Sequence, residues 1–184
     1  YLLRTVDHGA DVVVNSLTKW IGGHGTAIGG CVTDAGSFNW NSDKFPLYVN
    51  PDPNYHGLRW GVDLPADAAR IAFALRYRTV PLRNLGASTS PDNAWIFLQG
   101  LETLSLRMEK HCENAMKVAE FLKRDSRVAW VRYPGLPDDP SHETAAKYLT
   151  NGFGGMVVFG IKGGYNSAVK LINNIDLFSH VANV

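Results

Sequence analysis

Two hydroxyls and one amine stand close together near the start of the chain: Ser16, Thr18 and Lys19, in the stretch Asn15-Ser-Leu-Thr-Lys-Trp-Ile-Gly-Gly-His-Gly25. Hydroxyls and the N–H groups of a turn donate to anionic oxygens. The valine run Val12–Val14 just before them reads as a short buried strand. A lysine just beyond such a run lies near a core, where desolvation favours the neutral amine. A neutral amine attacks carbonyl carbon to give a Schiff base. Gly22, Gly23, Gly25, Gly29 and Gly30 follow, so the backbone can approach a ligand closely. The chemistry implied is an amine kept for a carbonyl, beside donors kept for an anion.

An aldehyde and a phosphate on one molecule is what pyridoxal phosphate presents. The segment Ser16-Leu-Thr-Lys-Trp-Ile-Gly-Gly-His-Gly25 resembles the cofactor-lysine segment of the Cys/Met-metabolism family of pyridoxal-phosphate enzymes. The likeness continues through Pro81-Leu-Arg-Asn-Leu-Gly-Ala87, Gln99 to Ala115, and Leu177 to Val184. The last two segments, with Trp20 and an aromatic insert before Pro65, are most similar to the O-acetylhomoserine sulfhydrylase branch.

The resemblance implies an α/β chain of fold-type I, aspartate-aminotransferase-like, covering part of the large domain and the start of the small C-terminal domain. Residues 1–110 would belong to the large cofactor-binding domain, and 111–184 to the end of a linking helix and an incomplete small domain. It implies that Lys19 holds the cofactor and later moves the substrate Cα proton, and that Ser16 and Thr18 fix the phosphate. The reaction implied is γ-replacement, O-acetyl-L-homoserine plus sulfide to L-homocysteine plus acetate. Cystathionine γ-synthase or γ-lyase and methionine γ-lyase chemistry belong to the same family. A homodimer or homotetramer sharing sites between subunits is implied too. The carboxylate for the pyridine nitrogen, the ring-stacking aromatic and the substrate-carboxylate arginine match no residue of this sequence, and the chain reads as an internal segment.

Composition excludes other classes. Lys plus Arg number 18 against 17 Asp plus Glu, for a net charge of +1 in 184 residues, so no basic surface for nucleic acid is expected. No apolar run reaches membrane-span length. Two cysteines, Cys31 and Cys112, form no disulfide framework, which fits a cytoplasmic protein. The six histidines are scattered, without metal-ligand spacing. His24 reads as a structural histidine bonded to backbone rather than an acid or base. The run Gly23-x-Gly25-x-x-x-Gly29 is one residue too long for a dinucleotide fingerprint, and a strand rather than a helix follows it. A nucleotide-binding α/β module without covalent chemistry, and a non-catalytic assembly homologue, stand as the other readings.

Around the lysine stretch, Asp11–Ser16 and Gly29–Thr33 read as strands. Residues 37–63 are irregular and aromatic, either a surface loop held by its own rings or a lid or interface piece. Leu64–Arg78 reads as a helix ended by Val80-Pro81. Arg76, Arg78 and Arg83 read as helix-end or interface charges. Ser90 caps a long helix running to about Arg124, with Gly100 as a possible kink and Leu101, Leu104, Met108, Cys112, Ala115, Ala119 and Leu122 along one face. Beyond it, 127–133 and 155–161 read as strands, 141–149 and 165–174 as helices, and Leu177 opens a further strand.

Overall fold

In a computed structural model, which describes residues 1–181, the chain forms two compact units. One is Arg4–Gly100; the other joins Tyr1–Leu3 to the chain from Leu101 onward.

The first unit is built on β1 (Val12–Ser16) and β2 (Gly30–Asp34), paired antiparallel with Val14 opposite Val32 and Ser16 opposite Gly30. The valine run was expected to be buried. Val12 and Val13 are half-buried, but Val14 is 73% exposed. Alternation puts Val12, Val14 and Ser16 on one face; Val12 packs against the cluster around Trp40, while Val14 stays open.

The insert after β2 is held by its own rings. Trp40, Tyr48 and Trp60 are buried with Ala72 and Val80 and form the core of this unit. Trp40 stacks on Tyr48 with ring centroids 4.5 Å apart and on Phe73 at 5.5 Å. Offset ring pairs of this kind add stability beyond area burial. A short helix, α1 (Pro46–Val49), carries Tyr48.

The helix expected over 64–78 is broken in two, α2 (Ala66–Ala69) and α3 (Ala72–Tyr77). The cause is Asp34 at the end of β2. Its carboxylate accepts the Ala74 N–H at 3.2 Å, a donor that an unbroken helix would spend on the Arg70 carbonyl. Nor does Val80-Pro81 end the helical path. A wide turn, Arg78–Leu82, takes the proline in, and the Thr79 hydroxyl donates to the Leu75 carbonyl at 2.7 Å. The chain runs on as α4 (Arg83–Leu85) and stops at Gly86, whose φ of 69° is left-handed.

α5 (Pro91–Glu102) begins after Ser90, whose hydroxyl accepts the Asn93 N–H at 3.2 Å as a cap. The long helix is interrupted, but at Thr103 (φ −100°, ψ 3°), where α6 (Leu104–Arg124) starts, and not at Gly100.

In the second unit, Met108, Cys112, Ala115 and Ala119 of α6 are buried, as the spacing implied, while Leu101 is 49% exposed. β3 (Val128–Arg132) and β4 (Val158–Ile161) pair antiparallel, with α7 (His142–Tyr148) between them in sequence and α8 (Gly164–Asn173) after. Ser141 precedes α7 in a helical conformation, so its hydroxyl does not cap; Asp139 accepts the Ser141 N–H at 2.8 Å instead. Tyr133 is 1% exposed and its hydroxyl donates to the carbonyl of Gly154 at 3.0 Å. The N-terminal residues belong here, since the Thr150 N–H donates to the Leu2 carbonyl at 2.8 Å. No strand forms over 177–181, and the rest of the strand expected from Leu177 lies outside the described residues.

Candidate active site

β1 delivers Ser16 at its last position, and the chain turns at once. Leu17–Ile21 is a wide helical turn broken in its middle: Lys19 has φ −88° and ψ −129°. The extended ψ at Lys19 takes it out of the regular helical path of its neighbours. Lys19 is half-buried and Ser16 exposed. The Ser16 hydroxyl makes no hydrogen bond within the described residues, so its donor is open to a ligand.

Thr18 is engaged. Its hydroxyl accepts the Gly29 N–H at 3.0 Å and lies 3.3 Å from the Gly29 carbonyl. That carbonyl also accepts the Leu17 N–H at 2.9 Å. The two ends of the glycine-rich loop therefore close on each other beside Lys19. On the other side, the Gly22 N–H donates to the Leu17 carbonyl at 2.9 Å and the Gly23 N–H to the Lys19 carbonyl at 2.7 Å. His24 Nδ1 lies 2.6 Å from the Gly22 carbonyl, so that nitrogen carries a proton and the ring serves the loop, the structural role its setting suggested.

Sequence reasoning missed what backs this turn. Gly100 sits in α5, and a Cβ there would meet the Gly22 carbonyl oxygen and lie 2.6 Å from that of Ile21. Phe97, 4% exposed, packs one turn earlier against Gly22 and Gly29. The signal was a glycine inside a helical pattern, which costs about 1 kcal/mol relative to alanine and so calls for a packing reason.

A groove of about 890 Å³ opens beside β1 and β2, lined by Val14, Gly30, Cys31, Tyr77, Arg78 and Ser88 among others. Lys19 does not line it. Arg76 and Arg83 turn to the insert: Arg76 Nε donates to Asp52 at 3.1 Å, and the Arg83 guanidinium lies 5.9 Å from the Tyr55 ring centre. Both cysteines are free. Among the described residues no group of His, Cys, Asp or Glu could hold a metal, and no helix is long and apolar enough to cross a membrane.

The sequence pattern of the Cys/Met metabolism PLP-dependent enzymes matches residues 1–184. The chain belongs to that family. This Cys/Met-metabolism chain is 52% identical to an O-acetyl-L-homoserine sulfhydrylase from Leptospira meyeri, over 100% of its own length and 43% of that protein. It is 47% identical to a homocysteine synthase from Schizosaccharomyces pombe, covering 42% of it. A crystal structure from Campylobacter jejuni, assigned as an O-acetylhomoserine (thiol)-lyase and carrying a pyridoxyl-lysine phosphate, superposes with a TM-score of 0.88 at 39% identity. All of this chain and 45% of that one are covered. The fold is thus this part of a fold-type I pyridoxal-phosphate enzyme, and the chain spans less than half the length of the relatives it matches. The cofactor of the family is pyridoxal 5′-phosphate.

The residues present fit that cofactor. An open hydroxyl at Ser16 and a half-buried amine at Lys19 are the donor and the nucleophile that a phosphorylated aldehyde needs.

Proposed function

We propose that this chain contributes the cofactor lysine and phosphate-binding turn of an enzyme that converts O-acetyl-L-homoserine and sulfide to L-homocysteine and acetate. The observation that carries the reading is the 52% identity, across the whole chain, to a protein named for that chemistry. The geometry of the Lys19 turn supports it.

Lys19 Nζ is the group that would bond the cofactor aldehyde and, once displaced by the substrate amine, take the proton from substrate Cα. The bound cofactor supplies a conjugated ring that accepts the electron pair this proton leaves behind. Ser16 Oγ, and Thr18 Oγ1 where its proton turns away from the Gly29 carbonyl, would donate to the phosphate. The broken turn at Lys19 serves this division of labour. It sets Lys19 apart from the regular turn, while β1 carries Ser16 and the bonds to Gly29 hold Thr18. Anchoring a group through two points before reaction is worth several kcal/mol in orientation. In the overall change the Cγ–O bond breaks with its electron pair leaving on acetate, a Cγ–S bond forms from sulfide, and the Cα proton is returned.

The assembly is proposed to be a homodimer or homotetramer in the cytoplasm. Trp95 and Leu98, 62% and 61% exposed on α5, support a partner, and two free cysteines support a reducing compartment.

The test is an assay of the full-length protein on O-acetylhomoserine plus sulfide, cystathionine and methionine in parallel. Homocysteine and acetate should form fastest from the first pair. Faster turnover of cystathionine or methionine would overturn the substrate assignment.

A further inference from the structure

Gly22 and Gly29 are not glycines for the sake of backbone freedom. Neither has a positive φ, and Gly22 is ordinary right-handed helix at φ −67°, ψ −49°. What they lack is room. A Cβ on Gly22 would lie 3.1 Å from Phe97 Cδ1, and one on Gly29 would lie 2.9 Å from Phe97 Cζ, with Cε2 closer still. Opposite edges of one ring therefore touch the two ends of the glycine-rich loop. Both ends are in turn hydrogen-bonded to the stretch just before Lys19: Gly22 to Leu17, and Gly29 to Leu17 and Thr18. Gly100, one turn along α5, lets the helix lie directly on the Ile21 and Gly22 carbonyls.

We propose that Phe97 is a positioning residue for Lys19: its ring sets the spacing of Gly22 and Gly29, and through the Leu17–Thr18 bonds it sets the direction of the Lys19 amine. The proposal rests on the reading of Lys19 as the cofactor lysine. A side chain of the same volume could fill the space without holding the spacing, because only a flat, stiff ring touches both glycines at once. Narrowing the wedge lets the loop ends close and turns the amine. Such a turn changes how well Lys19 lines up with the proton it moves, and misplacement by about 1 Å costs roughly 100-fold in rate. Substrate binding, made by other groups, is spared.

The experiment uses the full-length protein loaded with pyridoxal phosphate and compares wild type with Phe97→Leu and, independently, Gly29→Ala, which pushes on the same ring from the other side. Borohydride reduction of wild type should fix the cofactor on Lys19; no adduct there overturns the cofactor-lysine reading and this proposal with it. With the adduct in place, the pH midpoint of the bound cofactor's absorbance should move by about 0.5 unit or more in both variants, as the surroundings of the amine change. The kcat should fall by about tenfold with KM within about twofold. A variant that keeps the adduct, the wild-type midpoint and the wild-type kcat, and loses only thermal stability, shows Phe97 to be packing alone and overturns the proposal. Should one variant fail to fold, the other decides between these outcomes.

Discussion

The Gly29 N–H donates to the hydroxyl of Thr18 across 3.0 Å, and this bond joins the start of the glycine-rich loop to its end. Thr18 thereby has two tasks, closing the loop and facing the proposed phosphate site.

Replacing Thr18 by Val keeps the shape and removes both tasks. Leaving the Gly29 N–H without its partner should cost about 1–3 kcal/mol of stability. Titration of the apoprotein with pyridoxal phosphate, followed by absorbance, should show affinity about tenfold weaker or worse. Thr18→Ser should restore most of both.

Asp52 holds the aromatic insert together. Its carboxylate, 2% exposed, accepts from Trp60 Nε1 at 2.9 Å, from Arg76 Nε at 3.1 Å and from the Asn54 N–H at 3.0 Å. Burial pushes the Asp52 carboxyl up, but the Trp60 and Asn54 hydrogen bonds and the Arg76 charge outweigh it and hold the group below its ordinary value. Asp52→Ala leaves Arg76 as an unpaired, largely buried cation, and urea unfolding should show a loss of about 3–5 kcal/mol. The sign with pH follows from the depressed value. The stabilisation is complete above an ordinary aspartate pKa of about 4 and drains away as pH falls through the lower folded value. The stability gap between wild type and Asp52→Asn should therefore narrow from about pH 4 downward and stay constant from pH 5 to 7.

Gly100→Ala sets two effects against each other. Alanine gains about 1 kcal/mol of helix propensity over glycine. The added Cβ meets the backbone carbonyls of Ile21 and Gly22, which have no rotamer to escape into. Overpacking of this kind costs about 1–3 kcal/mol, so a lower melting temperature is expected where propensity alone calls for a higher one. Calorimetry on the apoprotein reads the sign directly.

In the second unit, Tyr133→Phe removes a buried hydroxyl that serves the Gly154 carbonyl at 3.0 Å and the Cys112 carbonyl at 3.3 Å. Burial pushes the Tyr133 hydroxyl up to about 12, so it stays a donor throughout the working range. The variant should lose about 1–3 kcal/mol by urea unfolding, with no change in the absorbance of the bound cofactor.

The lysine turn could be read from the sequence because its signals are local. A valine run, two hydroxyls and a glycine cluster all lie in the one stretch from Val12 to Gly30, and His24 was placed correctly from its glycine neighbours alone. The α6 stripe was legible for a related reason: helical period is itself a local quantity. What escaped depended on partners far along the chain. The break between α2 and α3 comes from Asp34, 40 residues before the N–H it captures. The proline at position 81 reads as a stop until the wide turn and the Thr79 hydroxyl absorb it. Gly100 reads as a kink until the Lys19 turn is seen lying against it. The burial of β1 was overestimated because an apolar run says what a strand wants on its faces, not what covers them.

The central claim is that Lys19 is the residue that carries the cofactor. Borohydride reduction of the yellow full-length protein, followed by digestion and peptide mass mapping, tests it directly. The account expects the pyridoxyl phosphate mass on the peptide containing Ser16-Leu-Thr-Lys19 and no such mass in Lys19→Ala. Finding it on another lysine, or finding it retained in Lys19→Ala, would contradict the account.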